Sequence, residues 1–131
     1  SFKLAELIRH IEYDSTDDVI KTSKATQDKH KKRDSTSKSS TDVFNLDTFA
    51  HPDFRAARYF VAMSKGTDFH STEIMLIHDG TTVSLTQYGV LQDATLASFD
   101  ADINGANVRL RCTPASATTT TIKFDRTLVE A

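Results

Sequence analysis

Hydrophobic and polar positions change rhythm twice along the chain. In residues 1–13, Phe2, Leu4, Leu7, Ile8 and Ile11 recur at spacings of three and four. That spacing predicts a short amphipathic helix with one apolar face. Thirteen residues are marginal as an isolated helix, so this one needs a surface to pack against. In residues 14–42, only Val19, Ile20 and Ala25 interrupt a run of Ser, Thr, Asp, Lys and His. Such a segment buries too little apolar surface to offset the entropy of ordering it, and reads as an extended arm.

From residue 43 onward the period becomes two. Phe44 and Leu46 flank Asn45, and Ala57, Tyr59, Val61 and Met63 alternate with Arg58, Phe60 and Ala62. Ile74 and Leu76 follow, with Met75 and Ile77 on the opposite face. Asp79-Gly80 predicts a hairpin turn into Val83, Leu85 and Gln87, with that strand ending near Gly89. Leu96, Phe99, Ala101 and Ile103 predict a further strand. Asn104-Gly105, or Gly105 with Ala106 and Asn107, turns it into Val108, Leu110 and Cys112. After Pro114, a last strand carries Ile122, Phe124, Arg126 and Leu128 in alternation. About six or seven strands with no helix between them predict an all-β fold, an antiparallel sandwich or jelly-roll-like domain. The expected organisation is an N-terminal helix and polar anchoring arm over residues 1–42 and a β-sandwich over residues 43–131.

Bulk properties narrow the picture. The 131 residues suffice for one domain with a core, and a net charge of −2 gives no general affinity for nucleic acid. A single cysteine, Cys112, excludes an internal disulfide and fits a reducing cytoplasm. No apolar run approaches the roughly 20 residues of a membrane helix. Glu6, Arg9 and His10 interrupt any leader-like apolar stretch at the start.

Candidate chemistry is sparse. No two of the five histidines stand three to five residues apart, and Cys112 has no cysteine partner, so no metal site is expected. Asp100 and Asp102 share a face beside a turn, with Arg109 and Arg111 on the next strand. If the hairpin pairs them, the four side chains form a cross-strand charge ladder. No nucleophile elbow or phosphate-cradling glycine loop is present, and Cys112 occupies an alternating apolar position. The sequence reading is therefore of a chain that is not an enzyme and carries no cofactor. Lys29, Lys31, Lys32 and Arg33 form a basic cluster, but Asp14, Asp17, Asp18, Asp34 and Asp42 offset the arm's charge. With no aromatic residue in the arm to stack on bases, it reads as an anchor for a protein surface, not for nucleic acid.

Several pieces in order resemble a β-domain of virion structural proteins of tailed phages, particularly those infecting marine cyanobacteria. They are Ala57-Arg58-Tyr59, the run from Lys65 to Glu73, Ile77-His78-Asp79-Gly80-Thr81 and Thr86-Gln87-Tyr88-Gly89. Phe99-Asp100-Ala101-Asp102-Ile103, Val108-Arg109-Leu110, Thr113-Pro114-Ala115 and Thr121-Ile122-Lys123-Phe124 complete the set. The resemblance implies a virion protein on a tail, baseplate or fibre, assembled in the host cytoplasm. It implies other virion proteins as partners and a trimer or hexamer within a symmetric particle. In that setting Phe2, Leu4, Leu7, Ile8, Ile11, Lys29, Lys31, Lys32 and Arg33 would form the anchor. Two alternatives stay open: a capsid decoration protein, and a receptor- or glycan-binding module using Phe54, Phe69 and Tyr88.

Overall fold

A computed structural model describes residues 30–131, in which residues 31–131 form one compact unit. The expected helix and most of the expected arm, residues 1–29, lie outside the described residues. Eight strands follow in chain order: β1 (Lys31–Lys38), β2 (Phe44–Ala50), β3 (Phe54–Lys65), β4 (Asp68–His78), β5 (Val83–Gln92), β6 (Ala97–Asn104), β7 (Asn107–Pro114) and β8 (Thr120–Glu130). They make a five-stranded sheet, β1-β8-β3-β4-β5, and a three-stranded sheet, β2-β7-β6. Every pairing is antiparallel, so the all-β antiparallel expectation holds.

The alternation visible in the sequence is the division between core and solvent. Tyr59, Val61 and Met63 of β3, Ile74 and Leu76 of β4, and Ile122, Phe124 and Leu128 of β8 are buried. They form one cluster with Leu46 and Phe49 of β2 and Val108, Leu110 and Cys112 of β7. A core shared by the inner sides of two sheets is sandwich packing.

Four local features depart from the sequence reading. First, the polar arm ends earlier than residue 42, because Lys31–Lys38 pairs along its length with β8. This strand lies at the sheet edge with five of its first residues exposed, so it carries no apolar alternation to reveal it. Second, β5 does not end at Gly89. Ser71 pairs with Leu91 and Glu73 with Tyr88, leaving Gly89 and Val90 opposite Thr72 alone. Gly89 takes a φ of 62°, which makes this a bulge and not a strand end.

Third, Asp79-Gly80 is not a two-residue turn with positive φ at both positions. Only Gly80 has positive φ, and the loop spans the four residues between His78 and Val83. The Asp79 carboxylate accepts the backbone N–H groups of Thr81 at 2.9 Å and Thr82 at 2.7 Å. Its own side chain thus replaces the tighter turn. Fourth, β2 bulges between Asn45 and Asp47, so that Leu46 and Asp47 are both buried.

Candidate functional site

The two faces of the five-stranded sheet differ in kind. Inward positions are mostly apolar, with His70, Thr72, His78 and Thr120 also buried there and one charged cluster beside them. The Asp47 carboxylate accepts from the Tyr59 hydroxyl at 2.7 Å, Arg126 Nη1 at 2.9 Å and Lys32 Nζ at 2.8 Å. Burial, with the Asp47 charge adding to it, raises the Tyr59 phenol far above its ordinary pKa, so it stays a donor. Asp47 escaped sequence reading because only the bulge turns it inward. Arg126 had a legible signal: a cation in an alternating core position requires a buried anion.

The outward positions mix apolar side chains with polar and charged ones. Ala56 lies opposite Ile77 and Val129, and Ile77 opposite Ser84. Arg58 lies opposite Met75 and Thr127, and Phe60 opposite Glu73 and Asp125. Phe60, Met75, Ile77 and Val129 are 50%, 48%, 52% and 57% exposed. A depression of about 570 Å³ lies over Ala56, Arg58, Met75, Ile77, Thr86 and Val129. A second, of about 550 Å³, lies over Phe60, Ala62, Lys123, Asp125 and Arg33.

Four of the charged side chains on this face pair with one another, and Lys31 and Lys123 stand on it as well. Arg58 Nη2 donates to Glu73 Oε2 at 3.2 Å. Hydrogen bonds from Tyr88 and then Arg58 hold the Glu73 carboxyl below its ordinary range. Arg33 Nε donates to Asp125 Oδ1 at 3.2 Å.

The residues expected to form an anchor divide. Phe2, Leu4, Leu7, Ile8, Ile11 and Lys29 lie outside the described residues. Lys31, Lys32 and Arg33 lie on β1, where Lys32 turns inward to Asp47 and Arg33 meets Asp125 on the outer face. The three aromatics considered for a glycan platform do not converge. Phe54 begins β3 and packs edge-on against Phe49, with ring centroids 6.4 Å apart. Phe69 pairs with Ser64 at the other end of β3, and Tyr88 pairs with Glu73 between them.

The charge ladder has the expected register, Asp100 opposite Arg111 and Asp102 opposite Arg109. Arg111 grips Asp100 with two bonds of 2.8 Å, and Arg109 grips Asp102 in the same way. The Arg109 guanidinium holds the Asp102 carboxyl below its ordinary pKa. Burial pushes the Cys112 thiol up to about 12, which suits a small core residue and not a thiolate nucleophile. Among the described residues no group of His, Cys, Asp and Glu is arranged to hold a metal ion.

No family model matches the sequence, and no curated protein matches it. Solved structures do. A tailspike protein of Acinetobacter baumannii phage AM24 matches at 10% identity and a TM-score of 0.45, covering 81% of this chain and 27% of that one. The tailspike of another Acinetobacter phage matches at 18% identity and a TM-score of 0.43, covering 79% and 23%. The tailspike of A. baumannii phage Fri1, a capsular polysaccharide depolymerase, matches at 14% identity and a TM-score of 0.33, covering 77% and 20%.

The chain thus spans about a quarter or less of the tailspikes it matches. At these scores none of the likenesses decides its fold or its activity. All three are phage tail proteins, in keeping at that coarse level with the resemblance seen in the sequence; none comes from a cyanophage. One expectation is corrected. The sequence reading was of a chain that is not an enzyme, and the Fri1 tailspike is a depolymerase, so that reading is withdrawn.

Proposed function

We propose that this chain is a structural module of a bacteriophage tail, packed against neighbouring virion proteins through the outer face of its five-stranded sheet. The observation that carries this reading is the apolar field of Phe60, Met75, Ile77 and Val129, each about half exposed on one face. Met75, Ile77 and Val129 gather around Ala56 and Arg58, with Phe60 further along β3, and a grouped apolar patch marks an interaction site where singly scattered residues do not. In this reading Phe2, Leu4, Leu7, Ile8 and Ile11 supply a second attachment at the N-terminus. The three-stranded sheet, with its paired Asp and Arg side chains, faces solvent.

A reconstruction of the purified particle tests it. Copies in rings of three or six along the tail are expected. Copies in the hundreds over the shell would make the chain a capsid decoration protein, and absence from the particle would end the structural reading.

One observation favours a second reading, a glycan-binding module. Tyr88 lies beside Glu73 and Arg58 on the open face, and a planar ring next to fixed polar groups suits a sugar. Binding to a glycan array that Tyr88→Ala abolishes would support it, and silence across the array would count against it.

A further inference from the structure

We propose that the outer face of the five-stranded sheet takes an acidic segment of a neighbouring tail protein, one that alternates carboxylates with aliphatic side chains. The inference rests on the assembly reading above and states the chemistry of the partner.

Unmatched charge is the first observation. The paired outward positions carry four cations, Lys31, Arg33, Arg58 and Lys123, and two anions, Glu73 and Asp125. Both anions are already taken, Glu73 by Arg58 and Asp125 by Arg33. Lys31 and Lys123 have no ion-pair partner among the described residues. The whole chain carries a net charge of −2, so this face runs against the balance of the molecule. Asp34 borders the depression beside Lys123 but is engaged elsewhere. Its carboxylate accepts the Ser35 N–H at 2.8 Å and lies 4.0 Å from Lys32.

Position in the sheet is the second. Lysine on an edge strand opposes strand pairing, which accounts for Lys31. It does not account for Lys123, because β8 lies inside the sheet between β1 and β3.

The third is the order along β8. Val129 lies beside Ala56, Thr127 between Lys31 and Arg58, Asp125 beside Phe60, and Lys123 beside Ala62. These rows follow one another at two-residue steps of about 7 Å, which sets the lysine rows about 13 Å apart. Apolar side chains at Val129 and Phe60 thus alternate with the unpaired lysines. In an extended segment every second residue shares a side at the same spacing, so aliphatic and acidic residues at alternate positions match the face. An acidic glycan would meet the lysines but has no aliphatic side chain for Met75, Ile77 and Val129.

Zero-length carbodiimide cross-linking of purified particles, read by mass spectrometry, tests the proposal. Lys31 and Lys123 should be joined to Asp or Glu of one segment of another protein, with aliphatic residues at alternate positions from them. Lys31→Glu combined with Lys123→Glu should lower incorporation into particles by about tenfold or more, since like charges then meet. Lysine in place of the cross-linked acids of the partner should restore it. Lys38→Glu, whose native ammonium lies over the Phe44 ring of the other sheet, should leave incorporation unchanged. Unaltered thermal unfolding of the double variant shows that folding is not the cause.

Particles that contain the chain but leave both lysines uncross-linked overturn the proposal, as do particles that take up the double variant like the native chain. Cross-links only to further copies of this chain overturn it as well. Polygalacturonate bound by the purified chain and lost in the double variant, with no lysine cross-link in particles, would assign the face to an acidic glycan instead. In each of these cases the chain is still a particle component; its absence from particles would end the assembly reading itself.

Discussion

Arg126 Nη1 donates to Asp47 Oδ2 at 2.9 Å, and the two residues belong to different sheets. Arg126 sits on β8 of the five-stranded sheet and Asp47 on the bulge of β2 in the three-stranded one. Both are buried, so the pair ties the layers together through the core. Tyr59 and Lys32 complete the set around the same carboxylate.

Removing the anion should be costly. Asp47→Ala leaves the Arg126 cation without its buried counterion, and breaking a buried pair in this way typically costs about 3–5 kcal/mol. Urea unfolding should show the midpoint falling sharply with an unchanged slope. Tyr59→Phe removes one hydrogen bond to the carboxylate, and a loss of about 1.5–3 kcal/mol is expected. A near-neutral Asp47→Ala would show that the pair contributes nothing net.

Lys32 predicts a local effect. Its ammonium ties β1 to the buried Asp47 carboxylate, and its side chain is 40% exposed, so global stability should change little. Backbone hydrogen exchange over Lys31–Lys38 should instead quicken in Lys32→Met, while the central strands β3 and β8 keep their protection. Uniform quickening across the sheet would contradict this assignment.

The difference between what the sequence revealed and what it concealed follows from burial. Tyr59, Val61, Met63, Ile74, Leu76, Val108 and Leu110 were legible because each sits on a strand with one dry face and one wet face. Strand β1 was not, since Lys31–Lys38 lies at an edge and its polar composition matches that of a loop. The Asp47 cluster was half legible. Arg126 stood in an apolar register, but its partner depended on a bulge that no period-two pattern predicts. The outer face was visible as Met75 and Ile77 opposite the core positions, yet sequence alone did not bring Phe60 and Val129 beside them.

His70 predicts a pH dependence. Its Nδ1 accepts the backbone N–H of Leu96 at 3.1 Å, which requires the neutral ring, and burial lowers its pKa from the ordinary value. The unfolded chain therefore binds the proton at a higher pH than the folded one. The stability contributed is present above the unfolded pKa of about 6.5 and is lost as pH falls from there through the folded value. Thermal melts at steps from about pH 7 to about pH 5 should show a decline that His70→Gln flattens. An equal decline in the variant would assign the effect to other groups.

Gly105 opens the turn that joins the two strands of the charge ladder. Asn104 pairs with Asn107, so Gly105 and Ala106 are the central residues of the turn. Gly105 has a φ of 61°, the positive value that a type II′ turn needs at its first central position. Had Asn104 and Gly105 been central, Asp102 would face Asn107 and Asp100 would face Arg109, leaving one aspartate–arginine pair in place of two. No atom lies within 4 Å of a Cβ built on Gly105, so Gly105→Ala meets only the backbone strain of positive φ. That strain costs about 1–2 kcal/mol, and asparagine, which tolerates the conformation, should cost less. Chemical denaturation should rank native above Gly105→Asn above Gly105→Ala, with the cross-strand contacts between Asp102 and Arg109 intact by NMR in all three. A slipped register in Gly105→Ala would show that the turn, and not the arginine pairs, sets the alignment of β6 and β7.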